Sequence, residues 1–210
     1  MINELKNVRT QFAATLAAFA VTLWYINDFV TIIETRKGVV LADPILALLA
    51  PYDLTWLIFA LIYTAIIGGI INFARSPKTL IVVMQAYILL CFFRMAGIYL
   101  LPLDPPTETI ILRDPVVEFF GENRILTRDL FFSGHTSLLF LIALATEAKF
   151  LRISFYVMTA LVAVFLLFQH VHYTVDILSA PFFAHAALEL GEALNKKISE
   201  VKYFSAELWG

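Results

Sequence analysis

Long apolar runs recur along most of the chain, and this feature limits the possible folds more than any other. Six runs are long enough, or nearly so, to cross about 30 Å of hydrocarbon as helices. Charged residues make up only 15% of the sequence, against about 25% in an ordinary soluble domain. The sequence therefore predicts an all-α, polytopic membrane protein with six transmembrane helices, near residues 12–33, 54–74, 79–101, 130–148, 152–170 and 173–194.

The six predicted spans form one membrane domain over residues 1–210, since the sequence contains no internal repeat and no low-complexity segment. Arg94 interrupts the third span, and the fifth span is short. Pro181 lies within the sixth span, where it is expected to kink the helix unless neighbouring groups satisfy the freed carbonyl. The first run lacks a clear small-residue cleavage site, so it is interpreted as a retained span and not as a signal peptide.

Lys and Arg residues are distributed unequally between the two sets of span flanks, and cytoplasmic flanks are the ones enriched in these residues. The richer set is therefore predicted to be cytoplasmic, with both termini inside. The loops before the fourth and sixth spans then face outward, toward a periplasm or a lumen, and the membrane is the inner one if the source is bacterial. The richer set holds Lys6, Arg9, Arg75, Lys78, Lys149, Arg152, Lys196, Lys197 and Lys202, and the poorer set holds Arg36, Lys37, Arg113, Arg124 and Arg128.

Two histidine-containing segments lie where these outward loops meet an apolar run. Ser133, Gly134 and His135 precede the fourth span, and His172 and Asp176 stand four residues apart at the start of the sixth. At a helix start this spacing places both side chains on one face, about 5–6 Å apart at Cβ. A carboxylate can then accept the proton of one imidazole nitrogen and leave the other nitrogen free to attack. We therefore predict that His172 is a nucleophile and that Asp176 fixes its tautomer.

Three further groups complete a predicted phosphate site. His135 is placed to protonate a leaving alkoxide as general acid, and then to act as general base. Arg94 offers a permanent cation in a fork geometry that suits phosphate oxygens. Backbone N–H groups around Ser133 and Gly134 add donors, because a helix N-terminus attracts anions. This set predicts phosphoryl or phosphodiester transfer through a phosphohistidine, with no cofactor and no metal.

Structural roles are the alternative for each of these histidines. A single histidine in an apolar chain more often makes a structural hydrogen bond, and His170 is expected to do so. If the turn is extended, His170 and His172 with Asp176 could imitate a metal site, although no cysteine or further well-placed ligand supports it. His185 and Glu189 lie toward the cytoplasmic end of the last span, and we interpret them as a structural pair or a headgroup contact.

The two histidine motifs resemble those of a known family. Ser133-Gly134-His135, and His172 with Asp176 four residues later, are similar to the second and third motifs of the type 2 phosphatidic acid phosphatase superfamily. More narrowly, residues 129–136 and 172–176 resemble the sphingomyelin synthase branch, as does Arg94 with the tyrosine, leucine and proline that follow it at 99–102. The resemblance covers roughly residues 36–180.

This resemblance implies a six-span fold, an outward-facing triad of His135, His172 and Asp176, and a covalent phosphohistidine on His172. It also implies that Asp129 and Tyr173, which belong to the same motifs, bind substrate together with Arg94, Ser133 and Gly134. The donor is then a membrane phospholipid, and the acceptor is a lipid alcohol such as ceramide or diacylglycerol.

The chain also departs from the superfamily pattern. The first motif, a lysine with an Arg-Pro pair seven residues later, is not legible, and Phe165 and Leu166 stand where the third motif expects Ser-Arg. These departures disfavour a phosphomonoester as the substrate, because its two negative charges require more positive charge than Arg94 alone supplies. A phosphodiester carries a single negative charge. In the synthase branch the residue before the nucleophile is often acidic, and Val171 occupies this position, so choline or ethanolamine selectivity stays open.

The predicted function is a lipid phosphotransferase that moves a phosphodiester headgroup through a phosphohistidine. One alternative keeps the triad but uses water as acceptor, as a lipid phosphatase or a phospholipase C-like hydrolase does. Another is a non-catalytic lipid-binding bundle. The net charge of −2 gives no indication of a nucleic-acid partner. Lipid-facing and partner-facing apolar surfaces look alike in sequence, so a homo-oligomer also stays open.

Overall fold

The computed structural model describes residues 2–115 and 125–208, with side-chain surroundings for 8–115 and 125–196. The described residues form six α-helices and one short 3-10 helix, so the predicted all-α class is confirmed. The α-helices are α1 (Ile2–Glu34), α2 (Thr55–Phe73), α3 (Pro77–Leu100), α4 (Gly134–Ala145), α5 (Lys149–Phe168) and α6 (Thr174–Leu208), and the 3-10 helix is Leu46–Leu48.

Four of these helices are long and apolar enough to cross a membrane, namely Val8–Glu34 within α1 and the whole of α2, α3 and α5. The fourth predicted span is shorter in the structure than in the sequence pattern. With 12 residues, α4 extends about 18 Å at 1.5 Å per residue, less than the roughly 30 Å of a hydrocarbon core. Ser133 caps its start by accepting a hydrogen bond from the Thr136 N–H, which separates residues 130–133 from the helix.

The sixth predicted span is continuous in the structure, because α6 runs through Pro181 without ending. Asp176, His185 and Glu189 lower the hydropathy of its first half, and α6 is not among the four helices that meet the composition for a span. The count of six transmembrane spans therefore stays a prediction.

Packing places the short α4 at the centre of the bundle. It contacts α5 and α6 extensively and α2 and α3 less so, while α3 lies between α1 and α6. Leu139 and Leu141 on α4 are fully buried, one in a cluster shared with α2 and α5 and the other in a cluster shared with α3 and α6. A short helix can occupy this position because longer helices cover it on several sides.

Loop contacts gather the two histidine motifs at one end of the bundle. The Val39 N–H donates to the Pro102 carbonyl at 3.0 Å, which joins the segment after α1 to the segment after α3. The Tyr52 N–H donates to the Phe168 carbonyl at 2.9 Å, which joins the start of α2 to the end of α5. The starts of α2, α4 and α6 and the ends of α1, α3 and α5 therefore lie together.

The opposite end of the bundle contains an interhelical polar network. Gln85 on α3 donates to the Thr15 hydroxyl on α1 at 3.1 Å and accepts a hydrogen bond from the Asn195 amide on α6. Gln11 on α1 donates to the Asn195 side-chain oxygen at 2.7 Å. These side chains satisfy one another within an apolar bundle, so they connect three helices far from the histidines.

Candidate active site

His172 and Asp176 form a buried pair at the start of α6. The His172 Nδ1 lies 3.3 Å from the Asp176 Oδ2, and the exposed fractions of the two residues are 2% and 0%. The Tyr173 N–H donates to the same carboxylate oxygen at 3.0 Å, which holds the carboxylate at the helix entrance. Because Nδ1 faces the carboxylate, Nε2 is the imidazole nitrogen left for chemistry.

The Ser-Gly-His turn is attached directly to this pair. The Ser133 N–H donates to the Asp176 backbone carbonyl at 3.1 Å, and the Ser133 side chain is completely buried. The Ser133 hydroxyl lies 3.0 Å from the Thr136 hydroxyl and caps α4. Its hydrogen bonds therefore stabilise the turn that precedes the helix. This connection brings the starts of α4 and α6, which are distant in sequence, next to each other.

Arg94 reaches this turn from the C-terminal part of α3. Its Nη2 donates to the Asp129 carbonyl at 2.9 Å and lies 2.8 Å from the Asp129 carboxylate, and its Nη1 donates to the Phe132 carbonyl. A Cβ on Gly134 would lie 3.0 Å from the Arg94 Cζ, so glycine allows the guanidinium to pack against the turn. Asp129 therefore orients Arg94 and shares its charge, and its contact with substrate stays a prediction.

His135 is the second residue of α4, and its ring meets the Phe59 ring edge-on, with centroids 6.0 Å apart. His135 is close enough to His172 and Arg94 to interact electrostatically with both. The structure thus brings together seven of the eight residues predicted for the site: Arg94, Asp129, Ser133, Gly134, His135, His172 and Asp176. Their catalytic and substrate-binding roles stay predictions.

Tyr173, the eighth predicted residue, directs its side chain toward the segments that follow α1 and α3. Its hydroxyl donates to the Asp104 carbonyl at 2.8 Å and accepts from the Leu41 N–H at 3.2 Å. His170 adopts a positive φ of 55°, and its Nε2 lies 3.1 Å from the Leu49 carbonyl oxygen. Both residues flank His172 and join it to these two segments. Among the described residues, no group of three or more His, Cys, Asp or Glu side chains is arranged to hold a metal ion.

Asp43 is a supporting residue in the segment between α1 and α2. Its carboxylate accepts from the Thr174 N–H at 2.6 Å and from the Thr174 hydroxyl at 3.0 Å, so it caps α6 from that segment. Partial burial opposes ionisation, but hydrogen bonds from Thr174, Leu46 and Ile45 outweigh it and lower the pKa of Asp43. Asp43 therefore stabilises the helix start beside the contact between His172 and Asp176.

Arg128 connects the segment before α4 to α1. Its Nε lies 2.6 Å from the Asp104 carboxylate and its Nη1 donates to the Glu34 carbonyl at 2.5 Å. The Arg128 hydrogen bond lowers the pKa of Asp104. Glu34 in turn accepts from the N–H groups of Thr127 and Arg128. These bonds fix the segment that leads into Asp129.

A cavity of about 360 Å³ lies between the segment that joins α1 to α2 and the segment that follows α3, beside the candidate site. His170 and Tyr173 form part of its wall, whereas His135, His172 and Asp176 do not. The rest of the wall comes from the two loops: Val40, Leu41, Asp43, Leu46, Ala47, Leu49, Pro106, Thr107 and Glu108.

Comparison with known proteins gives one match. Residues 128–190 match the family model described as "PAP2 superfamily C-terminal", and this range contains both histidine motifs. The match supports the PAP2 superfamily and a lipid phosphatase or phosphotransferase type of activity, and together with the apolar helices it indicates an integral membrane enzyme. It does not distinguish the sphingomyelin synthase branch. No curated protein and no solved structure matches the chain.

Proposed function

We propose that this protein is a membrane phosphotransferase that moves a phosphodiester headgroup from a glycerophospholipid to a lipid alcohol, ceramide-like or diacylglycerol-like. The observation that carries the proposal is the buried contact between the His172 Nδ1 and the Asp176 Oδ2 at 3.3 Å. A carboxylate in that position keeps the proton on Nδ1 and makes Nε2 the nucleophile. The neighbouring Ser-Gly-His turn supplies His135 as the proton donor.

The proposed reaction has two halves, both centred on phosphorus. In the first, the His172 Nε2 attacks, an N–P bond forms, and the bond to the glycerol oxygen breaks while His135 protonates that oxygen. In the second, the acceptor hydroxyl gives its proton to His135, its oxygen bonds to phosphorus, and the N–P bond breaks. The phosphoryl group ends on the acceptor and both histidines return to their starting states.

The charge of the site favours a phosphodiester over a phosphomonoester as substrate. Arg94 is the cation nearest the turn, and Asp129 and two backbone carbonyls already use part of its hydrogen-bonding capacity. One partly neutralised guanidinium is a better match to a monoanion than to a dianion. We propose further that the site faces away from the cytoplasm, because the flanks at the other end are richer in Lys and Arg.

The proposal is tested with purified protein, headgroup-labelled phosphatidylcholine or phosphatidylethanolamine, and ceramide present or absent. We expect labelled product only with the lipid alcohol, an acid-labile phosphate on the wild type, and its loss in His172→Ala. His135→Ala and Asp176→Asn should lower turnover at least about 10²-fold, since general acid–base catalysis typically contributes about 10²–10⁴.

His185→Ala is the matched control, because His185 is 62% exposed on α6 and outside the site. It should retain the activity of the wild type. Equal labelling of wild type and His172→Ala would exclude the phosphohistidine. Headgroup release that does not depend on an acceptor would instead identify the protein as a hydrolase that uses the same triad.

A further inference from the structure

The segment that joins α1 to α2 is almost uncharged. Between Gly38 and Tyr52, Asp43 is the single charged residue, and apolar residues occupy most of the other positions. This stretch is too short to span a bilayer, which takes about 20 apolar residues, and Pro44 interrupts it. It connects two helices that are long and apolar enough to cross a membrane, so it lies at a membrane surface.

One side of this segment packs on the protein. The Asp43 carboxylate accepts from the Thr174 N–H at 2.6 Å, and the Leu41 N–H donates to the Tyr173 hydroxyl at 3.2 Å. Leu46 is buried in an apolar cluster that includes Tyr173. The charged residue of the segment and one of its leucines are therefore directed inward, toward the start of α6.

The other side of the segment is apolar as well. The Leu48 N–H donates to the Ile45 carbonyl at 3.1 Å, and residues three apart in a 3-10 turn lie on the same side. Leu48 is 85% exposed, Ile45 is exposed too, and neither forms part of the cavity wall. No described residue covers this side. An exposed apolar surface of this kind is typical of a protein contact or a membrane contact.

Exposed aromatic side chains show the level of the membrane at which the segment lies. Tyr52 and Trp56 are exposed at the start of α2, and Tyr99 is exposed near the end of α3. Trp and Tyr are enriched at the boundary between membrane and water. The segment leads directly into Tyr52, and its Val39 N–H donates to the Pro102 carbonyl at 3.0 Å, shortly after Tyr99. Both ends of the segment are therefore attached at the level of these aromatic residues.

The lipid bilayer is the occupant that the surroundings of this apolar side indicate. Ile32 near the end of α1 and Leu57 near the start of α2 are exposed on helices long enough to span a membrane. Lipid-facing surface is thus present where the segment begins and where it ends. We propose that residues 39–49 lie embedded in the headgroup–acyl boundary of this bilayer, with Ile45 and Leu48 inserted into apolar lipid.

This contact gives the candidate site a defined depth in the membrane. Asp43 binds Thr174 from the embedded segment, so the start of α6, with His172 just before it, is held at the level of the lipid headgroups. The contact is the same whether the acceptor is a lipid alcohol or water. The inference therefore goes beyond the proposed function and does not rest on it.

The test measures the depth of spin labels on the full chain reconstituted in phosphatidylcholine bilayers. Leu48→Cys carries the label in a Cys91→Ala background, because Cys91 is the single cysteine of the chain. Ile67→Cys, exposed within α2, is the reference for a span, and Glu147→Cys, exposed between α4 and α5, is the reference for water. Oxygen concentrates in hydrocarbon and a nickel chelate stays in water, so the ratio of their collision rates with the label reports depth.

We expect the label at Leu48 to give an oxygen-to-nickel ratio several-fold above that at Glu147 and close to that at Ile67. Ile45→Cys should give the same result, and it provides the measurement if Leu48→Cys does not fold. Thr107→Cys is the matched control, because Thr107 is exposed on the cavity wall at the same end of the bundle. Its ratio should resemble that at Glu147.

Two results would overturn the inference. Ratios at Leu48 and Ile45 no higher than those at Thr107 and Glu147 would show that this side of the segment faces water. Low collision rates with both reagents, together with spin–spin broadening between labels, would show that a second copy of the chain covers it.

Discussion

Gly134 provides the sharpest test of how Arg94 is positioned. In Gly134→Ala the new Cβ would lie 3.0 Å from the Arg94 Cζ and 3.1 Å from Nε and Nη1. Carbon atoms pack best at about 3.5–4.0 Å, so the guanidinium has to move by roughly 0.5 Å or more. Asp129 and the Phe132 carbonyl bind the guanidinium, so a displacement of this size weakens at least one of these contacts.

The size of the expected defect follows from this displacement. A misplacement of about 1 Å near the chemistry can cost about 10²-fold in rate, so we expect Gly134→Ala to lower turnover on the order of tenfold. The overpacking itself should cost about 1–3 kcal/mol of stability. Turnover is measured with headgroup-labelled phospholipid, and stability by thermal unfolding in the same detergent.

Gly68→Ala is the matched control, because its Cβ would lie 3.3 Å from the Phe155 ring, in the core and away from Arg94. This variant should be fully active. The decisive comparison is Gly134→Ala in an Arg94→Ala background, where no guanidinium remains to be displaced and the second substitution should have little further effect. A full additional loss there, or wild-type activity of Gly134→Ala alone, would refute the reasoning.

Two further predictions concern the supports of the site and the far end of the bundle. Asp43→Asn should destabilise the protein by about 1 kcal/mol near neutral pH, since both carboxylate oxygens of Asp43 accept N–H hydrogen bonds and an amide has only one acceptor oxygen. Because the pKa of Asp43 is lowered by folding, its contribution is present above the unfolded pKa of about 3.9 and is lost as the pH falls further. Thermal unfolding from pH 7 to pH 3 should therefore show a smaller acid-induced loss for Asp43→Asn than for wild type, and parallel curves would contradict this. Gln85→Leu should cost about 0.6–1.7 kcal/mol by breaking the contacts with Thr15 and Asn195. Its turnover should be unchanged, since Gln85 is about 13 Å along α3 from Arg94, and a tenfold loss would show that this network controls the site.

The sequence predicted the helical class well because long apolar runs are a local property of the chain. The runs at 54–74, 79–101 and 152–170 correspond to α2, α3 and α5 within a few residues. The run at 130–148 was misleading about length, since an apolar stretch continues on both sides of the helix. Whether such residues enter a helix or a turn depends on partners such as Arg94, which are distant in sequence.

The histidine motifs were also visible in the sequence, because Ser-Gly-His and a His–Asp pair four residues apart are local patterns. His172 and Asp176 are in contact although α6 begins only at Thr174, so the carboxylate in the first turn of the helix binds a histidine that precedes it. The pairing of the Ser133 N–H with the Asp176 carbonyl had no local signal, since it joins residues more than 40 positions apart.

The sequence by itself determined the residue types of the site and their spacing within each motif. Only the tertiary structure decided that the Tyr173 hydroxyl binds the segments after α1 and α3, that Asp129 orients Arg94, and that the Tyr63 hydroxyl donates to the Asp114 carboxylate. Helical periodicity fixes neighbours over four residues. Contacts between loops depend on how whole helices pack, and no short-range pattern encodes that arrangement.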